Sequence, residues 1–164
     1  MHEEFLFANG LKLCCCIWRP SSLPLGRIVV LHGWLDQAMS WNKVAEGLCR
    51  RGYEVYIYDQ RGHGKSDHVA ASSHYHFIDY VADLQVLMRE HFYQENLPLT
   101  LIGHSMGGSI GLIYASVAQN NPLTQLILIE GLGPPSESSQ TALNRLKRHL
   151  KQRSSKAEHG HFKS

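Results

Sequence analysis

The chain has 164 residues, of which 43% are hydrophobic and 18% charged, with a formal net charge of +2. That apolar content excludes disorder over most of the length, and the length suffices for one domain with its own core. Three of the four cysteines are adjacent (Cys14, Cys15, Cys16, with Cys49 apart), which excludes a disulfide scaffold. The start, Met1 to Phe7, carries Glu3 and Glu4 and no basic region, so a signal peptide is not expected and a reducing, cytoplasmic setting is.

The elements follow in chain order. Asn9-Gly10 between Glu4–Ala8 and Leu11–Trp18 is a hairpin turn signal. In the second run Leu11, Leu13, Cys15 and Ile17 alternate with Lys12, Cys14, Cys16 and Trp18, which predicts a strand with buried cysteines acting as small hydrophobes. Arg27–Leu31 is a β-branched run stopped by His32-Gly33. Trp41–Arg51 has helical spacing and ends at Gly52. Tyr53–Tyr58 reads as a strand, and Tyr75–Tyr93 as a long helix with Phe77, Val81, Leu84, Met88 and Phe92 on one side. Leu99–Ile102 is a strand, Met106–Gln119 a helix, Gln125–Ile129 a strand, and Thr141–Gln152 a helix with Leu143, Leu146 and Leu150 on one face.

A hairpin followed by alternating strands and helices predicts an α/β fold with a mostly parallel sheet and an N-terminal antiparallel hairpin. Residues 1–139 form the core in this reading, 140–153 begin a lid helix, and 154–164 are a flexible basic tail. From Arg145 onward seven basic residues stand against Glu158 alone, read as a solvated face rather than a nucleic-acid or lipid surface. Asn96–Ile129 holds no Asp, Glu, Lys or Arg, long enough for a membrane helix, but Pro98, its glycines and Asn120-Asn121-Pro122 divide it into buried strand, helix and strand.

Gly103-His104-Ser105-Met106-Gly107 is a G-x-S-x-G motif between a predicted strand and a predicted helix. Such a turn needs small flanking residues and presents the serine hydroxyl at the sheet's carboxyl end, beside the positive end of a helix. With His32-Gly33-Trp34-Leu35-Asp36 and Asp59-Gln60-Arg61-Gly62-His63-Gly64-Lys65-Ser66 in order before it, the chain resembles the α/β-hydrolase fold family. Gly33-Trp34-Leu35-Asp36 and Glu130-Gly131-Leu132-Gly133-Pro134 are most similar to its serine-hydrolase-like subgroup.

The resemblance implies Ser105 as nucleophile and the backbone N–H groups of Trp34 and Met106 as the oxyanion hole, with His32, Gly33, Gly103 and Gly107 as positioning residues. Serine rather than aspartate at that position implies cleavage of an ester, thioester, amide or activated C–C bond through an acyl-enzyme. The family's acid and histidine follow the serine, the histidine on a loop after the last strand. This sequence stops one helix after its sixth strand, so the fold is expected to be truncated there and the catalytic histidine missing. Glu130 is the candidate acid. His104 adjoins Ser105 with its side chain directed away, and His149, His159 and His161 have no preceding strand to present them.

Two functions stay open: a serine hydrolase acting on a small acyl substrate, incomplete in this chain, or a non-catalytic remnant or small-ligand binding module. Either leaves the sixth strand as an edge, open to a second chain completing the sheet or to self-association. No cofactor, metal, nucleic-acid partner or membrane span is expected.

Overall fold

The computed structural model describes residues 1–131, 138–141, 144, 147 and 148. Leu143, Leu146, Leu150 and the late histidines His149, His159 and His161 lie outside them. The chain divides into two units, Met1–Gly133 and Pro134–Ser164.

The first unit carries a six-stranded sheet in the order β1-β2-β4-β3-β5-β6. Its strands are β1 (His2–Ala8), β2 (Leu11–Trp18), β3 (Gly26–Leu31), β4 (Tyr53–Tyr58), β5 (Leu99–His104) and β6 (Gln125–Ile129). β1 and β2 form the antiparallel hairpin, and Asn9 and Gly10 both have positive φ, +47° and +79°, as a tight two-residue turn requires. β2 runs antiparallel to β4, while β3, β4, β5 and β6 run parallel. The sequence reading of the fold therefore holds.

The helices are α1 (Asn42–Arg50), α2 (Phe77–Leu87) and α3 (Met106–Val117). α1 covers one face of the sheet. There Ala38 and Ala45 pack on Cys16, Trp18, Ile28, Val30, Val55, Ile57 and Ile102. On the other face Tyr80, Val81, Leu84 and Leu87 of α2 and Ile110 and Tyr114 of α3 pack on Leu13, Cys15, Ile17, Val29, Leu31 and Leu101. Each fully buried aliphatic side chain here contributes about 1.5–3 kcal/mol.

β2 is buried on both faces from Leu13 to Trp18, because the sheet is covered on both sides at that point, and its three adjacent cysteines are buried as expected. Burial pushes the Cys16 thiol up to about 12, so the cysteines are packing groups and not thiolates. The predicted helix over 75–93 breaks: α2 ends at Leu87, and Met88–Phe92 forms one wider π turn closed by Tyr93 N–H on the Met88 carbonyl at 2.8 Å. Phe77 faces outward, whereas Val81, Leu84, Met88 and Phe92 are buried. Finally, the predicted start at Trp41 is a 3₁₀ turn, Ala38–Trp41, leading into α1.

In the second unit, residues 139–141, 144, 147 and 148 are helical. Ser138 Oγ accepts the Thr141 N–H at 3.2 Å, an N-cap, and Gln140 donates to Asn144 one turn on.

Candidate active site

β3, β4 and β5 are parallel neighbours, so their carboxyl ends bring three loops together. The β5 loop is the sharp turn at Ser105, with φ +50° and ψ −115°. That conformation is strained for a residue with a Cβ and is imposed by its surroundings. A Cβ on Gly103 would stand 2.5 Å from the Gly107 carbonyl oxygen and 2.6 Å from Gly108 Cα. A Cβ on Gly107 would run into the carbonyl of Leu31. Only glycine at both positions lets α3 start directly against β5 and β3. The result is an exposed Ser105 at the head of α3. The first amides of a helix have no intrahelical acceptor, and Met106 supplies the first of them here.

The β3 loop lies alongside. A Cβ on Gly33 would be 3.5 Å from Ser105 Cβ and 3.0 Å from His104 Nδ1, so the loop backs onto the serine. Trp34 is 57% exposed beyond it. Among the described residues, neither the Trp34 nor the Met106 amide has a hydrogen-bond acceptor. An amide that heads a helix next to a serine, such as that of Met106, suits an oxygen that gains negative charge.

His32 is fully buried beneath this loop. Its Nδ1–H donates to the Gly33 carbonyl at 2.8 Å and its Nε2 accepts the Gln60 amide at 3.0 Å, which fixes the neutral tautomer. Burial, the largest influence, lowers its pKa from the ordinary 6.5. The Gln60 side chain returns a bond to the His32 carbonyl at 2.7 Å.

The sequence reading did not single out Asp59, Arg61 or His63 as site supports. Asp59 accepts the Ala38 and Lys65 amides at 2.7 and 2.8 Å, tying the β4 loop to the β3 loop. Arg61 makes a two-pronged pair with Asp83 of α2 at 2.6 Å for each contact, and Asn9 donates to the same carboxylate at 2.9 Å. His63 accepts the Leu35 amide at 3.2 Å. All three lie in the Asp59–Ser66 block, but each has a partner 21 to 28 residues away, in Ala38, Asp83 and Leu35, so the block alone cannot name them.

Glu130 follows β6 with φ +52° and a side chain 84% exposed. Its carboxylate reaches His104 Nε2 at 3.9 Å, and so meets the residue before Ser105. His104 packs its ring near Trp41, and its Nδ1 is buried with no hydrogen-bond partner among the described residues. Among the described residues no side chain hydrogen-bonds Ser105 Oγ, and no group of three or more His, Cys, Asp or Glu could hold a metal ion. Nor is any helix there long and apolar enough to cross a membrane. A cavity of about 540 Å³ lies at the far end of α3, between Met88, Tyr114 and Pro122, away from Ser105.

Comparison with known proteins agrees with the fold. The family described as alpha/beta hydrolase fold matches residues 26–163. A monoglyceride lipase of Rattus norvegicus is 31% identical over 147 residues, 83% of this chain and 46% of its own length. A monoacylglycerol lipase of Mycolicibacterium smegmatis is 31% identical over 121 residues, 70% of this chain and 41% of its own. Among solved structures, a thioesterase domain from the curacin biosynthetic pathway superimposes with a TM-score of 0.77 at 34% identity, over 94% of this chain and 54% of that one. The chain thus spans about half the length of the relatives it matches.

Proposed function

The chain belongs to the α/β-hydrolase fold family, and from that premise we propose that it carries the nucleophile and oxyanion hole of a serine hydrolase. In this reading Ser105 Oγ attacks the carbonyl carbon of an ester-like bond and gives up its proton to a base. The carbonyl oxygen, now negative, takes hydrogen bonds from the Trp34 and Met106 amides. The leaving alcohol or thiol departs with a proton, and water then cleaves the acyl-enzyme to release the acid and restore Ser105. Ester or thioester substrates are favoured by the relatives named as monoglyceride lipase and thioesterase.

One observation carries the proposal: Ser105 is exposed in a strained backbone conformation at the junction of β5 and α3, next to the Met106 amide, which has no acceptor among the described residues. Glu130 is the candidate acid. The base would come from outside the described residues or from a second polypeptide that completes the sheet beyond β6. Without it, nucleophile and oxyanion hole retain only a residual catalysis, on the order of 10³–10⁴ over water in a serine protease stripped of a triad member. The second reading is a non-catalytic remnant or a small-ligand binding module.

A fluorophosphonate probe separates the two. Covalent labelling of the folded chain, lost in Ser105→Ala, supports the hydrolase. Folded chain that takes no label at Ser105 overturns it.

A further inference from the structure

Leu35 sits one residue after the proposed oxyanion amide of Trp34, at a φ of +58° that a side chain rarely adopts. Its own side chain cannot hold it there, because it is 81% exposed. The turn's backbone closure, Asp36 N–H on the Gly33 carbonyl, is long at 3.4 Å. The turn is also held at its ends, where the Gly33 carbonyl accepts His32 Nδ1–H at 2.8 Å and the Asp36 carboxylate accepts Trp41 Nε1–H at 3.3 Å; at Leu35 itself the bond is that of its amide, which donates to His63 Nε2 at 3.2 Å.

His63 is built to accept that bond. Its Nδ1–H donates to the Arg61 carbonyl at 3.0 Å, so Nε2 carries the lone pair. Arg61 is in turn locked onto Asp83 of α2. The ring is buried, 5.2 Å from the His32 ring and 5.0 Å from the edge-on Trp34 ring. A continuous path therefore runs from α2 through Asp83, Arg61 and His63 to Leu35.

We propose that His63 is a positioning residue for the oxyanion hole: by holding the Leu35 amide, it fixes the strained turn that aims the Trp34 N–H at the space above Ser105. This rests on the hydrolase reading for its consequence, though not for its geometry.

In the unsubstituted chain, a through-hydrogen-bond ¹⁵N–¹⁵N coupling between the Leu35 amide and His63 Nε2 is expected in the NMR spectrum, and its absence overturns the proposal. Two variants separate clamp from packing. His63→Leu fills the space and accepts nothing, whereas His63→Gln keeps an oxygen acceptor. His63→Leu should speed exchange of the Leu35 amide about tenfold and slow fluorophosphonate labelling of Ser105 by up to about 100-fold at saturating probe. His63→Gln should stay near the unsubstituted chain in both. If Leu and Gln variants behave alike, His63 is only packing. Should the unsubstituted chain take no label, the hydrolase reading fails, while coupling and exchange at Leu35 still decide the role of His63.

Discussion

The Ser105 amide donates to the Ile129 carbonyl at 2.9 Å, so the turn that presents the serine is fastened to the last residue of the edge strand. The register continues this link, with His104 opposite Ile129 and Gly103 opposite Leu128. Ser105 and Glu130, which follow those strand ends, both have positive φ, +50° and +52°. β6 is therefore a support of the candidate site as well as the margin of the sheet.

Because Ser105 bears a Cβ where glycine would be at ease, the site holds strain that its side chain requires. Ser105→Gly should be more stable than Ser105→Ala by about 1 kcal/mol, with both losing the nucleophile. Urea denaturation of the two variants checks this. Equal midpoints would mean that the turn is unstrained.

Gly103 poses the opposite case. The atoms that an added methyl would meet, the Gly107 carbonyl and Gly108 Cα, are backbone and cannot swing aside. Gly103→Ala should cost about 1–3 kcal/mol by pushing α3 away from β5. It should also lower Ser105 labelling by more than the stability loss explains, which thermal melts and labelling rates on the same samples would measure.

The strands and the elbow were legible because their signals are local: apolar runs such as Arg27–Leu31 and Gln125–Ile129, and a glycine-flanked serine between a strand and a helix. The supports were not. Val81, Leu84, Met88 and Phe92 keep one periodicity through the point where α2 gives way to the π turn, so the pattern hides the break. Glu54 lies within a strand's apolar run yet is buried, because Arg19 and Arg27 meet its carboxylate at 2.9 and 2.8 Å. Nothing in the spacing of His63 and Leu35 announces their bond, since it exists only once β3 and β4 lie side by side.

The buried pair of Arg61 and Asp83 should behave as a unit. Removing the guanidinium in Arg61→Ala leaves the buried Asp83 carboxylate without its countercharge, with the Asn9 amide at 2.9 Å as its remaining donor, a loss of about 3–5 kcal/mol. Replacing both, as Arg61→Met with Asp83→Leu, should recover most of that stability. Denaturant titration of the single and double variants tests the coupling, and additive losses would show that the two groups act independently.

His32 sets a pH dependence. Burial holds its folded pKa below the ordinary 6.5, so the unfolded chain binds the proton more readily. The stability tied to neutral His32 is thus fully present above 6.5, declines as pH falls through that value, and levels off below the lowered folded pKa. Protonation also removes the acceptor for the Gln60 amide. His32→Gln should be less stable than the unsubstituted chain near neutral pH, yet lose less between about pH 7 and pH 5. Denaturant midpoints at both ends of that range check the sign, and parallel losses in the two proteins would exclude His32 as the source.

The margin of the sheet gives the last prediction. Gln125–Ile129 contains no charge and no proline, the usual guards of an edge strand. Among the described residues nothing pairs with its outer side, and Ile127, Leu128 and Ile129 are all exposed. Ile127 stands in the row of Ile57, Val30 and Ile102, on the face that α1 covers elsewhere but not here. An edge of this kind presents free N–H and C=O groups together with apolar side chains, which is a template for another strand. Ile127→Lys places a charge where a docking strand would have to bury it. It should increase the monomer fraction in sedimentation velocity at high protein concentration while leaving the Ser105 turn intact, because the backbone bond from Ser105 to Ile129 does not use that side chain. If the unsubstituted chain is already monomeric at such concentrations, or if Ile127→Lys changes nothing, the open edge is not the surface through which this chain associates.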